Sequence, residues 1–371
     1  MTKKKIKINF CDWWSGFDKN NNIFSNVLKK YYDIIISDTP DFLFYSCHGG
    51  DYLRYNNCTK VFFTGENLLP NFNECDYGVS FDYINFGNRH FRCGPWLPRT
   101  VCDRSIITDD MAHRKFCNFI YSNTKSGAGA LLRQDFCTEL MKYRHVDCPG
   151  RVLNNMSADD LEPRDGDWGT SKLAFLNKYK FTIAFENSCS DGYTTEKMLH
   201  PVLAHSVPIY WGNPLVVRDF NPRAFINCND YDNDFDKIIA RIRELDNDDE
   251  QYLAMLRENP VSDEYDFEAP RHFEEWLLGI IERGNQPFCK DPLRFSSRPL
   301  QRKINKLTLE NQKLNKFISE NQCYDVAPYK KSGNFISRTV VKNGYRTKYI
   351  LGIPVSYRPI NWAKHIDEKS E

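Results

Sequence analysis

The chain has 371 residues, with 50 Lys and Arg against 49 Asp and Glu, a formal net charge of +1. That balance excludes a general polyanion binder, which needs a basic excess, and the length suggests two domains with an appendage. The 13 cysteines contain no CxxC pair, so a thiolate metal cluster is not expected. The charge is uneven: residues 301–371 hold 14 basic against 6 acidic side chains, so the body is acidic and the C-terminal end basic.

In chain order, Lys5–Phe10 alternates as a strand and Asn26–Tyr32 reads as a helix. Asp33–Ser37, Phe42–Cys47, Lys60–Thr64 and Gly78–Phe81 are short apolar runs bounded by turn residues, as buried strands of a parallel sheet are. A second series begins near Lys115. Phe116–Ser122, Phe181–Phe185 and Val207–Trp211 read as strands, and Ala128–Tyr143, Thr195–Ala204, Asp232–Leu245, Asp248–Glu258 and Arg271–Arg283 as helices. Two such series imply an α/β protein with two doubly wound domains facing one another, residues 1–114 and 115–290, with ligands at the carboxyl ends of the strands. Residues 291–371 form the appendage. Ile304, Leu307, Asn311, Leu314 and Ile318 follow a heptad spacing for only about two heptads. The pattern fits one amphipathic helix or a short coiled coil joining a homodimer. Tyr329–Pro359 is basic and β-like. The N-terminal residues lack the apolar core of a signal peptide, and no run approaches the ~20 apolar residues of a membrane span. A cytoplasmic protein is expected. The basic end invites peripheral contact with the inner, anionic membrane face.

No phosphate loop and no zinc-protease helix is present. Asp12-Trp-Trp-Ser-Gly16 stands where a dinucleotide-binding glycine loop would follow the first strand. The segment Phe181–Lys197 instead carries the chemistry: a strand, a polar loop with Glu186, Asn187 and Tyr193, and a helix start at Glu196-Lys197. Thr194 is the expected helix cap. A cation in a first helical turn opposes the dipole, so Lys197 is expected to be offset by a phosphate bound there. Arg133, in a helix after the flexible loop Ser122-Asn-Thr-Lys-Ser-Gly-Ala-Gly129, offers a bidentate fork to the same anion. Glu66, in Phe63-Thr-Gly-Glu-Asn67 at the end of an apolar strand, is a candidate general base whose partial burial would raise its pKa.

The segment Ala184-Phe-Glu-Asn-Ser-Cys-Ser-Asp-Gly-Tyr-Thr-Thr-Glu-Lys197, followed by Ala204-His-Ser-Val-Pro-Ile-Tyr-Trp-Gly-Asn-Pro214, resembles the signature of the alpha-1,3/4-fucosyltransferases. Thr64-Gly-Glu-Asn67 with Phe81-Asp82 resembles the N-terminal motif of the bacterial members, and the likeness spans roughly residues 5–285. It implies a GT-B architecture of two Rossmann-like domains, with GDP-fucose as donor. The implied acceptor is an N-acetylglucosamine-containing, lactosamine or Lewis-type glycan; α1,3 is the expected linkage, with α1,4 left open by the sequence, and the transfer inverts the fucose. It further implies that Glu66 is the base and that Arg133 and Lys197 hold the diphosphate. Asn187, Tyr193 and Glu196 would contact the donor, Glu196 on the sugar side, with Glu186 as their neighbour. No metal is expected to be required, although Mn or Mg could stimulate GDP departure; no nucleic-acid partner is implied. Eukaryotic members carry a membrane anchor and stem that are not read here. The alternative enzyme is another inverting nucleotide-sugar transferase acting on bacterial surface polysaccharide such as lipopolysaccharide. A non-catalytic carbohydrate-binding protein is the alternative from outside the enzymes.

Overall fold

The computed structural model describes residues 3–123, 128–157, 168–288, 306–307, 309–313, 324–325, 330–332, 335–342, 345–350 and 353–359. It divides into two compact units, Met1–Lys290 and Asp291–Glu371.

The first unit holds two parallel sheets. Strands β1 (Lys4–Cys11), β2 (Tyr32–Ile36), β3 (Phe42–Tyr45), β4 (Thr59–Phe63), β5 (Tyr77–Ser80) and β6 (His90–Arg92) are ordered β2-β1-β3-β4-β5-β6. Alternation in β1 buries Ile6, Ile8 and Phe10, and β3 is buried throughout. Helix α1 (Ile23–Tyr31) is capped by Asn22, whose side chain accepts the Phe24 and Ser25 N–H groups. It buries Phe24 and Leu28 against the sheet.

The second sheet contains β7 (Lys115–Asn118), β8 (Val146–Asp147), β9 (Tyr179–Phe185), β10 (Val207–Trp211) and β11 (Ile226–Asn227), ordered β11-β10-β9-β7-β8. The central strands β9 and β10 are buried along their whole length, as strands covered on both faces must be. Helices α2 (Ala128–Met141), α3 (Trp168–Leu176), α4 (Glu196–Leu203), α5 (Phe235–Asn247) and α6 (Asp249–Arg257) accompany this sheet, with Asp234 and Asp248 capping α5 and α6. Helix α7 (Ala269–Arg283) behaves differently from its place in the sequence. Phe273, Leu277, Ile280 and Ile281 pack into the core of the first sheet, so the chain crosses back after completing the second.

Among the described residues of the second unit are five strands, β12 (Tyr324–Asp325), β13 (Lys330–Ser332), β14 (Phe335–Lys342), β15 (Tyr345–Ile350) and β16 (Ile353–Pro359), paired antiparallel. Of the heptad positions, Leu307 and Asn311 are helical, whereas Ile304, Leu314 and Ile318 lie outside the described residues. Among the described residues, no helix is long and apolar enough to cross a membrane.

The two sheets of the first unit are tied by a charged clamp. Arg92 on β6 donates to both carboxylate oxygens of Asp219, at 2.9 and 2.5 Å. Tyr83 donates to the same carboxylate at 3.1 Å, and its ring lies 4.0 Å from the Arg92 guanidinium. Removing one partner of a largely desolvated pair costs more than removing both. Asp219→Ala should therefore lower stability by about 3 kcal/mol. The double variant Arg92→Leu/Asp219→Ala should recover part of that loss. Urea unfolding midpoints check both, and a double variant less stable than Asp219→Ala would contradict the assignment.

Candidate active site

The site is built on the carboxyl ends of β9 and β10. At the end of β9 the Glu186 N–H donates to the Trp211 carbonyl at 2.8 Å, so the polar loop starts in register with the neighbouring strand. Helix α4 begins ten residues later, with Thr195 as its cap in place of the expected Thr194. Thr194 is turned inward instead and accepts from Asn213 at 3.0 Å.

Glu186 is fully buried and accepts from the Thr195 N–H and hydroxyl, both at 2.7 Å. Lys197 reaches Glu186 at 3.2 Å and Glu196 at 3.1 Å. Burial pushes the Glu186 carboxyl above its ordinary value, and Lys197 opposes that rise. Desolvation would depress the Lys197 ammonium, but the two carboxylates hold it above its ordinary value. Glu196, half exposed, is held below the ordinary carboxylate range: Lys197 and Lys172 outweigh its desolvation. The charge expected to need a phosphate at Lys197 is thus already offset within the protein by two carboxylates.

Arg133 is the group left without an anion. Its side chain is fully buried, and among the described residues it makes no ion pair. One Nη donates to the Asn187 side chain and the other to the Asn123 carbonyl, each at 2.9 Å. The guanidinium lies 4.1 Å from the Tyr121 ring centre, and its Nε has no hydrogen-bond partner. Burial lowers its pKa, and the neighbouring Tyr121, Glu186 and Tyr193 resist that fall. Two contacts fix α2 so that Arg133 arrives here. Gly129 donates to the Asn187 carbonyl at 3.2 Å, and a Cβ at Gly129 would lie 2.3 Å from the Glu186 carbonyl oxygen. Only glycine permits so close an approach. Residues 124–127 of the preceding loop lie outside the described residues.

The polar loop also meets the first sheet. Gly192, at φ +82°, passes so close to Phe81 that a Cβ would lie 2.3 Å from its carbonyl oxygen. Tyr193 is buried edge-on against the Phe81 ring, and burial pushes its hydroxyl up to about 12. Asn67 donates to Ser188 at 2.7 Å and accepts from Ser190 at 2.6 Å, joining the loop after β4 to the loop after β9. Glu66 therefore stands beside the same site, close enough for its charge to act on Tyr193. Its side chain is exposed, so the partial burial expected of it is not found. The loop tip is held instead by Thr64, whose hydroxyl accepts the Glu66 N–H at 2.9 Å.

Glu66, Arg133, Glu186, Asn187, Tyr193, Glu196 and Lys197 thus form one neighbourhood. Sequence reasoning missed Tyr121, Asn213 and Lys172. Tyr121 supports Arg133 while its hydroxyl accepts the Phe185 N–H at 2.8 Å. Asn213 accepts the Gly192 N–H at 2.8 Å. Lys172, on α3, is depressed by burial and faces Glu196 and Glu186. Asn213 lies within the Ala204–Pro214 signature, where its role was not singled out, whereas Tyr121 and Lys172 lie outside the quoted motifs and are recognisable only from packing between distant segments. Among the described residues, no group of three or more His, Cys, Asp or Glu could hold a metal ion. A separate cavity of about 400 Å³ by β11 is lined by Arg223, Arg241, Gln251 and Glu258. It shares no residue with the site, and its two arginines already pair with Glu258 and Glu244.

Two parallel Rossmann-like sheets, with Arg133 and Lys197 at the strand end of the second and a loop carboxylate on the first, have the architecture of a GT-B glycosyltransferase. Comparison with known proteins is specific. Residues 8–98 match the alpha-(1,3)-fucosyltransferase FucT N-terminal domain, and residues 111–289 match the glycosyltransferase family 10 (fucosyltransferase) C-terminal region. The alpha-(1,3)-fucosyltransferase FucT of Helicobacter pylori is 30% identical over 303 residues, 69% of this chain and 60% of the relative. The chain therefore spans about three-fifths of that relative's length. An alpha-(1,3)-fucosyltransferase B of Drosophila melanogaster is 33% identical over 120 residues, 31% of this chain and 26% of the relative. A crystal structure of an alpha1,3-fucosyltransferase with GDP-fucose superposes with TM-score 0.59 at 26% identity, covering 75% of this chain and 91% of that one. The same enzyme class with GDP gives 0.58 over the same shares. The chain belongs to the alpha-1,3-fucosyltransferase family, glycosyltransferase family 10.

The Glu186–Lys197 pair yields a prediction. Lys197→Met should lower stability at pH 8 by about 3 kcal/mol, because it strands a buried carboxylate. A carboxyl raised above its unfolded value binds a proton in the folded state first, so folding is favoured as pH falls through the raised pKa. The variant should therefore gain stability from pH 8 to pH 5 relative to wild type. Denaturant titrations at several pH values measure this, and parallel curves for the two proteins would contradict it.

Proposed function

We propose that this chain transfers L-fucose from GDP-fucose to a hydroxyl of N-acetylglucosamine in a lactosamine or Lewis-type glycan, forming an α1,3 linkage with inversion. The observation that carries this reading is the buried, counter-ion-free Arg133 bound to Asn187, with Glu66 held across the cleft by the Asn67 bridge. A desolvated guanidinium with free donor capacity is matched by a diphosphate. The relatives' association with GDP-fucose and GDP supports that donor.

In this reading Glu66 takes the proton of the attacking hydroxyl as its oxygen bonds to C1 of fucose. The bond from C1 to the β-linked phosphate oxygen breaks on the opposite face, and the single displacement yields the α-fucoside. Positive charge develops on the sugar, which the carboxylate of Glu196 favours. Negative charge develops on departing GDP, which Arg133 and Lys197 stabilise without reorganisation. Asn187 orients Arg133, and Tyr193 closes the donor side against Phe81. These residues supply the cations that a metal would otherwise provide, so transfer is proposed to proceed without one.

The test is transfer from GDP-fucose to N-acetyllactosamine, with the product linkage and anomer read by NMR. Glu66→Ala should reduce kcat by at least about 10³-fold while leaving GDP affinity within twofold, since a general base contributes about 10²–10⁴. Transfer should persist in EDTA. Activity retained in Glu66→Ala would remove the base assignment. A β-fucoside would remove inversion, and preference for another nucleotide sugar would replace the donor.

A further inference from the structure

The parallel sheet of β1 to β6 delivers three loops to one rim. β1, β3 and β4 are adjacent, so the residues after Cys11, Tyr45 and Phe63 emerge on the side that carries Glu66. The first loop carries two tryptophans with different duties. Trp13 is structural: its indole N–H donates to the Phe44 carbonyl at 3.0 Å, and its ring stacks on Phe17 at 4.1 Å and Phe63 at 5.3 Å. Trp14 is the outer ring. It stands edge-on to Trp13 and Phe17, 5.3 and 5.4 Å away, and is 47% exposed. His48, exposed on the second loop, is perpendicular to Trp14 at 6.4 Å. Among the described residues, neither the Trp14 indole N–H nor the His48 ring has a hydrogen-bond partner.

The backbone presenting these two rings is strained and heavily restrained. Asp12 has φ +60°, the left-handed region that a non-glycine residue avoids. Its carbonyl accepts the His48 N–H at 3.0 Å, and its carboxylate accepts the N–H groups of Asp51 and Tyr52 at 2.9 and 2.8 Å. Gly49 is what lets the second loop close on this turn: a Cβ there would lie 2.2 Å from an Asp12 carboxylate oxygen. Strain maintained by so many restraints is a feature of sites where geometry serves a contact.

We propose that Trp14 and His48 form a saccharide platform for the acceptor, holding the sugar next to the one that Glu66 deprotonates. This rests on the transferase reading above. The platform carries an exposed indole face, an indole N–H donor and an imidazole, and no cation of its own: apolar C–H faces and hydroxyls suit it, phosphate does not. β1 and β4 are separated by one strand, about 9–10 Å between their axes. A sugar held at Glu66 and its glycosidic neighbour together can span from the loop after β4 to the loop after β1 that carries Trp14.

The test compares a disaccharide acceptor, N-acetyllactosamine, with the monosaccharide N-acetylglucosamine. In Trp14→Ala, kcat/KM for the disaccharide should fall about tenfold, chiefly through KM. The monosaccharide should change by less than about twofold, and Trp14→Phe should restore most of the loss. GDP affinity should be unchanged, which shows that the fold and donor site are intact. If Trp14→Ala does not bind GDP, the same ratio in Trp14→Leu and His48→Ala decides. Equal losses for both acceptors, or no loss for either, would overturn the platform while leaving the transferase reading standing. A wild-type chain that transfers fucose to neither acceptor would overturn that reading, and the platform with it.

Discussion

The structure depends on a buried arginine that has no counter-ion among the described residues. Arg133 is fully enclosed, lies on the face of Tyr121, and donates to the neutral oxygens of Asn187 and Asn123. In the same neighbourhood Lys197 shows the opposite solution, with two carboxylates around one ammonium. Lys197 is thus offset by its own carboxylates, whereas among the described residues Arg133 stays a desolvated cation with no carboxylate paired to it. That charge opposes folding of the empty protein and favours an anionic ligand, so stability is given up where binding is needed. The close contact of Gly129 with the backbone of Glu186 and Asn187 holds α2 in the position this requires.

The two halves of the first unit serve this site from opposite sides. The second sheet supplies cations at a strand end and a helix start. The first supplies an exposed carboxylate on a loop pinned by Thr64 and Asn67. Arg92 locks the sheets together through Asp219 and also donates to the Phe81 carbonyl at 3.0 Å, the same backbone that Gly192 lets the loop after β9 approach. Helix α7 adds a third tie by returning from the second half into the core of the first. Loops after β1, β3 and β4 then share one rim with Glu66.

Much of this was legible in the residues. β9 and β10 are predominantly apolar runs between turn residues, and the capping aspartates mark α5 and α6 closely. The seven residues singled out by motif do converge. What escaped has physical reasons. β6 and β8 span three and two residues, too short for any periodicity to register. The buried face of α7 shows that it packs but not on which sheet. A strand-end carboxylate looks the same in sequence whether its loop folds inward or, as at Glu66, outward. Lys172 and Tyr121 matter through neighbours at least twelve residues away, which no local pattern encodes.

The central claim, that Arg133 is a buried cation kept for an anionic donor, is tested most directly by titrating GDP into wild type and Arg133→Met. Removing an uncompensated buried charge in favour of an apolar side chain is neutral or stabilising. The account therefore predicts an unliganded melting temperature at or above wild type, together with a loss of GDP affinity of at least about 100-fold, or about 2.7 kcal/mol. A variant that binds GDP as tightly as wild type would contradict it.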